Sequence, residues 1–198
     1  MSIPYNVWPL RVVDEHLAHL GRAEFFEFCQ LNRDLRIERS AAGELIFQLP
    51  TGGDTGRRNA ELGMQLAIWS DRDGTGIGFD SSTGFWLPNG ALRSPDASWV
   101  RRERVDALTQ QEKQDFVPWQ PDFAVELRSH SDRLTDLRAK MQEYVDNGVP
   151  LAWLIDPTTR RVEIYRPGQQ PVAMDNPTSV SAEPELAGFV LDLTAIWQ

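Results

Sequence analysis

Two carboxylates and a lysine have the types and the setting for phosphodiester hydrolysis. They are Asp96 in Ser94-Pro95-Asp96, Glu126 in the apolar run FAVEL, and Lys140 beyond it. A hard divalent cation such as Mg²⁺, or Mn²⁺ in its place, takes oxygen ligands and often needs only one or two carboxylates plus water and substrate phosphate. Such a cation polarises a phosphate and acidifies a water. A nearby lysine stabilises developing charge or positions that water. A second Pro-Asp pair, Pro121-Asp122, competes for the acidic role. Asp122 and Glu126 share one face of a strand, but four residues of extended chain separate them by about 13 Å, too far to share an ion. Asp96 lies on a different strand and can sit beside Glu126, so Asp122 reads as a strand-start residue. Two residues after Glu126, on the same face, stands Arg128. Arginine stabilises phosphate charge but cannot act as a base. Lys140 is therefore the candidate lysine, three residues after Leu137 and four before Tyr144, on the flank of a helical apolar stripe. Glu38, Glu61 and Arg128 are candidates for accessory positions.

The elements that must position these groups follow from periodicity. Phe123, Val125 and Leu127 alternate with Ala124 and Glu126, which predicts a strand. Ser131 or Asp132 is the expected N-cap of a helix with Leu134, Leu137, Met141, Tyr144 and Val145 as its stripe, and Asn147-Gly148 ends it. The run VPLAWLI, 149–155, is apolar enough for a strand buried on both faces. Strand, helix, strand at this length predicts a right-handed parallel crossover. RVEIYR, 161–166, alternates and follows a short turn, as an antiparallel partner would.

Upstream, 22–32 reads as a short amphipathic helix and 36–50 as a hairpin turning at Gly43. TGGDTG, 51–56, lacks the Lys-Ser/Thr pair of a phosphate-binding loop and reads as a plain loop before a helix over 57–70. Residues 74–78 read as a turn. Asn89-Gly90 predicts a hairpin whose second strand, ALRSPDASWV, carries Asp96. Thr109-x-x-Glu112 is a capping-box pattern that predicts a short helix. Residues 1–21 read as an extended N-terminal arm before one domain over 22–198.

The net charge is −9, which argues against broad adhesion to nucleic acid. A local basic patch or a bound cation can still invert the field at a site. All but two of the basic residues are arginines, whose planar fork suits phosphate. Several lie near the candidate site in sequence, including Arg93, Arg101, Arg102, Arg104, Arg128, Arg133 and Arg138. The single cysteine, Cys29, sits in an apolar run and reads as a structural thiol. The three histidines form no metal-ligand spacing, so zinc is not expected. No run is long and apolar enough for a bilayer, and the N-terminus lacks a signal-peptide pattern. A cytoplasmic location without a membrane is expected.

PDFAVELRSHSDRLTDLRAKMQEYVDNGVPLAWLIDP, with GELIFQLPTGGDTGRRNAELGMQLAIW and SSTGFWLPNGALRSPDASWV before it, resembles the Uma family of restriction-endonuclease-like proteins over residues 25–197. That resemblance implies the PD-(D/E)xK nuclease fold, an α/β (mixed α+β) core with a central mixed sheet flanked by helices. It implies Asp96 and Glu126 as metal-binding acids and a catalytic lysine moved from the strand to the next helix, at Lys140. His130 stands where a proline is usual, and Ala152 where glycine or an aromatic is common. A Mg²⁺-dependent DNA endonuclease is the expectation, with DNA as substrate and a homodimer or higher homo-oligomer as its form. A regulatory or nucleic-acid-binding module that keeps the fold without cutting is the alternative suggested by the acidic pI and Arg128. An oligomeric interaction protein is the alternative suggested by seven tryptophans and an arm around Trp8.

Overall fold

A computed structural model describes residues 9–198. The N-terminal part contains β1 (Leu10–Val12), α1 (Glu15–Ala18), α2 (Arg22–Leu31), β2 (Arg36–Arg39), β3 (Leu45–Gln48) and the long helix α3 (Gly53–Asp73). Next come β4 (Gly76–Asp80), β5 (Phe85–Trp86), β6 (Leu92–Arg93), β7 (Ala97–Arg101), α4 (Arg102–Asp106) and a 3₁₀ turn at Glu112–Gln114. The central unit is β8 (Phe123–Leu127), α5 (Leu134–Asp146) and β9 (Leu151–Asp156). Strands β10 (Arg161–Tyr165), β11 (Val172–Asp175), β12 (Ser179–Ser181) and β13 (Val190–Asp192) complete the chain.

A six-stranded mixed sheet in the order β11-β10-β9-β8-β7-β4 forms the centre. β8 and β9 pair in parallel, while β10 and β7 pair antiparallel on either side. Every residue of β8 and β9 is buried, as strands covered on both faces must be. The period of two decides what each face meets. Phe123, Val125 and Leu127 face the layer built by Leu62 and Leu66 of α3 and the C-terminal segment around Phe189. Ala124 faces the opposite layer, where Met141, Tyr144 and Val145 of α5 pack. Glu126 shares that face. A five-stranded antiparallel sheet, β1-β3-β2-β6-β5, stands beside the first, and β12 pairs with β13.

Several expectations need correction. ALRSPDASWV is not one strand. β6 belongs to the five-stranded sheet and β7 to the six-stranded one, so the chain changes sheets at Ser94-Pro95-Asp96, where proline cannot continue a ladder. The turn expected at 74–78 is confined to Gly74, at φ +72, and β4 starts at Gly76. Gly76 is required by packing: a Cβ there would fall 2.1 Å from the Trp99 ring. α3 begins at Gly53 rather than residue 57. Asp132 does not cap α5; its carboxylate accepts from Ser129 N–H, and Arg133 is the N-cap residue. Thr109 and Glu112 make their reciprocal capping bonds, but the helix is one 3₁₀ turn. Of the expected arm, residues 1–8 lie outside the described residues, and Leu10–Val12 pair with β3. A tryptophan-rich surface is not found among the described residues: Trp86, Trp99 and Trp153 are core, and Trp69, Trp119 and Trp197 are half-buried. Also among the described residues, no helix is long and apolar enough to cross a membrane.

α5 ends at a backbone turn that only glycine takes without strain. Gly148 has φ +89, and an added Cβ would come within 3.3 Å of Gln120 Nε2. Gly148→Ala is expected to cost about 1–2 kcal/mol, read as a lower urea midpoint. An unchanged midpoint would contradict the strain assigned to this position.

Candidate active site

Four segments converge on one cluster. β8 presents Glu126 to α5, and α5 presents Lys140 and Tyr144, which are one turn apart on the same helix face. Lys140 Nζ lies 2.8 Å from Glu126 Oε1, and the Tyr144 hydroxyl donates to the same oxygen at 2.8 Å. β2, from the other sheet, contributes Glu38. Its Oε1 accepts from Lys140 Nζ at 2.9 Å and from Ser94 N–H at 2.9 Å. Its Oε2 accepts from Arg93 Nη1 at 3.2 Å, and Arg93 Nε donates to Glu143 at 2.6 Å. The sheet-changing segment contributes Asp96, whose Oδ2 accepts from Leu127 N–H at 2.8 Å. That bond ties Asp96 to the residue after Glu126 and sets the two acids side by side on one cleft.

Burial dominates the electrostatics. It pushes Glu126 up to about 7, with Lys140 opposing and the neighbouring Asp96 and Glu38 carboxylates adding to the rise. Asp96 is also raised by burial, against the Leu127 N–H and Lys140. Burial would raise Glu38 too, but Lys140 and Arg93 outweigh it and hold the carboxyl below its ordinary range. Burial would lower Lys140, but Glu126 and Glu38 outweigh it, so the ammonium stays protonated. Tyr144 is raised far above its ordinary range by burial and by Glu126, so it remains a neutral donor. Counting Glu38, Asp96, Glu126 and Glu143 against Lys140 and Arg93 leaves the group net negative.

This donor set fits a hard divalent cation of the Mg²⁺ type. Among the described residues no donor reaches Glu126 Oε2. Among the same residues Asp96 Oδ1 meets only the Asn59 amide, at 3.4 Å. Two carboxylates lining a cleft suffice for Mg²⁺, which retains water and takes up substrate oxygens. Glu38 is brought into the cluster with both its oxygens already accepting hydrogen bonds, so it is less available to a cation than Glu126 Oε2 or Asp96 Oδ1. Among the described residues no three His, Cys, Asp or Glu side chains converge as a fuller cage.

The structure separates the remaining candidates. Glu61 is not brought to the cluster; its carboxylate accepts from Gln65 at 2.9 Å. α3 does send a side chain to Asp96, but it is Asn59, about 200° away from Glu61 around the helix. Arg128 lines the cleft, with Nη1 bound to Asp156 at 2.8 Å. Asp122 is tied to Arg104 at 2.7 Å and to Arg101 N–H, away from Glu126. Arg102 and Arg138 also bond elsewhere, to Gly74 O and Glu163. Cys29 is half-buried, and burial pushes its thiol up to about 11, with Arg39 opposing. Of the arginines expected near the site, Arg93 is brought into the cluster; Tyr144, Glu143 and Asn59 are not expected there from the sequence. Tyr144 carried the one available signal, its place a turn after Lys140, but it also fitted the apolar stripe.

The ion pairs around this cluster predict an acid limit. Glu38 is held low as described. Burial would raise Asp156, but Arg128 outweighs it and holds the carboxyl low. Glu163 is held low by Arg138, against burial. A depressed folded pKa contributes stability that is fully present above the unfolded value and lost as pH falls through the folded one. The melting temperature should therefore drop once pH falls below about 4.5. A flat melting temperature from neutral pH down to about pH 3 would contradict these assignments.

The cleft holding Asp96 and Glu126 has a volume of about 1430 Å³. One side is built by β2, β3 and the start of α3, the other by residues 127–133 and the first turns of α5. Residues 22–194 match the profile of the Uma2 family, described as "Putative restriction endonuclease". Among solved structures, "a putative nuclease belonging to DUF820 from Anabaena variabilis ATCC 29413" superposes with a TM-score of 0.72. The match covers 90% of this chain and 97% of that one at 18% identity, a likeness of fold. No curated protein matches the chain.

Proposed function

This chain belongs to the Uma2 family, and from that premise we propose a divalent-cation-dependent endonuclease that hydrolyses DNA phosphodiester bonds. Asp96 and Glu126 would hold the cation, Mg²⁺ or Mn²⁺, and Lys140 lies beside Glu126. The observation that carries this function is the buried ammonium of Lys140, 2.8 Å from Glu126, at the point where Asp96 enters the same cleft.

A bound divalent cation supplies Lewis-acid polarisation of a phosphoryl oxygen and makes an attacking water more acidic. The chain's own residues do the rest. Asp96 is fixed through Oδ2 by Leu127 N–H, and Oδ1 is the oxygen it would offer the cation. Glu126 is fixed through Oε1 by Lys140 and Tyr144 and keeps Oε2 available. Lys140 stays protonated, so its role is electrostatic: it stabilises negative charge that develops on the phosphate. Glu38 is a positioning residue that holds Lys140 through a second carboxylate.

The test is incubation of the purified protein with plasmid and single-stranded DNA, with Mg²⁺ or Mn²⁺ and with chelator. Cation-dependent cleavage is expected. Cleavage by the wild type no faster than by Glu126→Ala would sink the assignment.

A further inference from the structure

Most cations that line the cleft are already neutralised. Lys140 and Arg93 serve Glu38, Glu126 and Glu143. Arg128 serves Asp156, and Arg11 serves Glu44. Arg36 and Arg58 differ. Both line the cleft, and among the described residues neither forms an ion pair; Arg133 also lines the cleft without an ion pair, but no hydrogen bond among the described residues holds its side chain in place. Arg36 and Arg58 are each tethered by a neutral backbone carbonyl. Arg36 Nη2 donates to Ser81 O at 2.6 Å, and Arg58 Nε donates to Ile196 O at 2.9 Å.

Arg36 precedes Glu38 by two residues on β2, so the pleat turns both side chains the same way. Glu38 holds Lys140, and Arg36 is close enough to Asp96 to be felt by its carboxylate. Arg58 arrives from the second turn of α3, one residue before the asparagine that touches Asp96. A guanidinium held by a carbonyl is fixed in place yet keeps its full charge and its remaining N–H groups. This is the state a phosphate-binding arginine needs: pre-positioned, so that little rotamer freedom is lost on binding, and not already paired.

We propose that Arg36 and Arg58 form a phosphate clamp, binding backbone phosphates of the nucleic acid next to the bond held at Asp96 and Glu126. The clamp rests on the nuclease function proposed above. It explains how a chain of net charge −9 binds a polyanion: two guanidiniums that are both uncompensated and held in place sit at the site rather than on a broad basic face.

The test is fluorescence anisotropy with a labelled DNA oligonucleotide, single-stranded and duplex, in chelator so that binding is read without cleavage. Arg58→Gln keeps an N–H donor near the position of the Nε that its tethering carbonyl uses and deletes the charge; Arg36→Gln deletes the charge and is too short to reach Ser81 O, which Arg36 meets through Nη2. Each should weaken binding about five- to tenfold at low salt and reduce the slope of log affinity against log salt by about one. Arg36→Lys keeps the charge and should keep the slope, which separates charge loss from misfolding. Arg57→Gln is the control, since Arg57 bonds Ala195 O outside the cleft and should bind as wild type. Wild-type affinity and slope in both cleft variants overturn the clamp, and so does an equal loss in Arg57→Gln. If the wild type cleaves DNA while these variants bind normally, the clamp alone fails. If the wild type neither binds nor cleaves, the clamp and the nuclease function fail together.

Discussion

Replacing Lys140 by methionine is expected to abolish DNA cleavage and to lower stability by about 3–5 kcal/mol, the usual effect of breaking a buried ion pair from one side. Nζ is the shared partner of Glu38 and Glu126, at 2.9 and 2.8 Å. The side chains of all three are at most 12% exposed, so water cannot take the ammonium's place. Without it two carboxylates are left buried near one another. Both would then hold protons more tightly in the folded state than in the unfolded one. A carboxyl with a raised folded pKa contributes stability at low pH and loses it as pH rises. The Lys140→Met defect should therefore be larger at pH 8 than at pH 5. Urea unfolding at the two pH values reads this directly. Equal midpoints for variant and wild type at pH 8 would contradict the buried-pair assignment.

Glu126→Gln should behave differently. It removes the charge that would hold the cation, and cleavage should fall about 10³-fold. The glutamine oxygen can still accept from Tyr144, and Lys140 keeps Glu38. Removing a buried charge that burial already disfavours should leave stability at pH 8 unchanged or raised. Lys140→Met thus affects folding and chemistry together, whereas Glu126→Gln affects chemistry alone. Single-turnover cleavage beside a urea melt separates the two. Glu126→Gln cleaving within about tenfold of wild type would show that its carboxylate is not needed.

Period and capping signals made the central unit legible. FAVEL alternates, the α5 stripe recurs at helical spacing, and VPLAWLI is apolar throughout; these are β8, α5 and β9. That unit placed Lys140 on the flank of the stripe, from where it can reach the sheet, but its contact with Glu126 is seen only in the structure. Asp96 was legible as a candidate but not in its setting. A change of sheet at Pro95 leaves no periodic signal, and the hydrophobic runs on either side read as one strand. Glu38 was legible only as a weak acid candidate, because its binding of Lys140 spans two sheets. Choosing between Asn59 and Glu61 required the rotation of α3, which its glycine-rich start obscured. Arginines near the site in sequence, such as Arg102, Arg104 and Arg138, bond elsewhere. Arg36 and Arg58 reach the cleft from distant segments, and sequence proximity cannot show that.

The most direct test of the central claim is calorimetric titration with Mn²⁺ in the absence of DNA, on wild type, Asp96→Asn and Glu126→Gln. If Asp96 and Glu126 share one cation, the wild type binds a single ion per chain and each variant loses at least about tenfold in affinity. Binding of equal stoichiometry and affinity in all three proteins would contradict it.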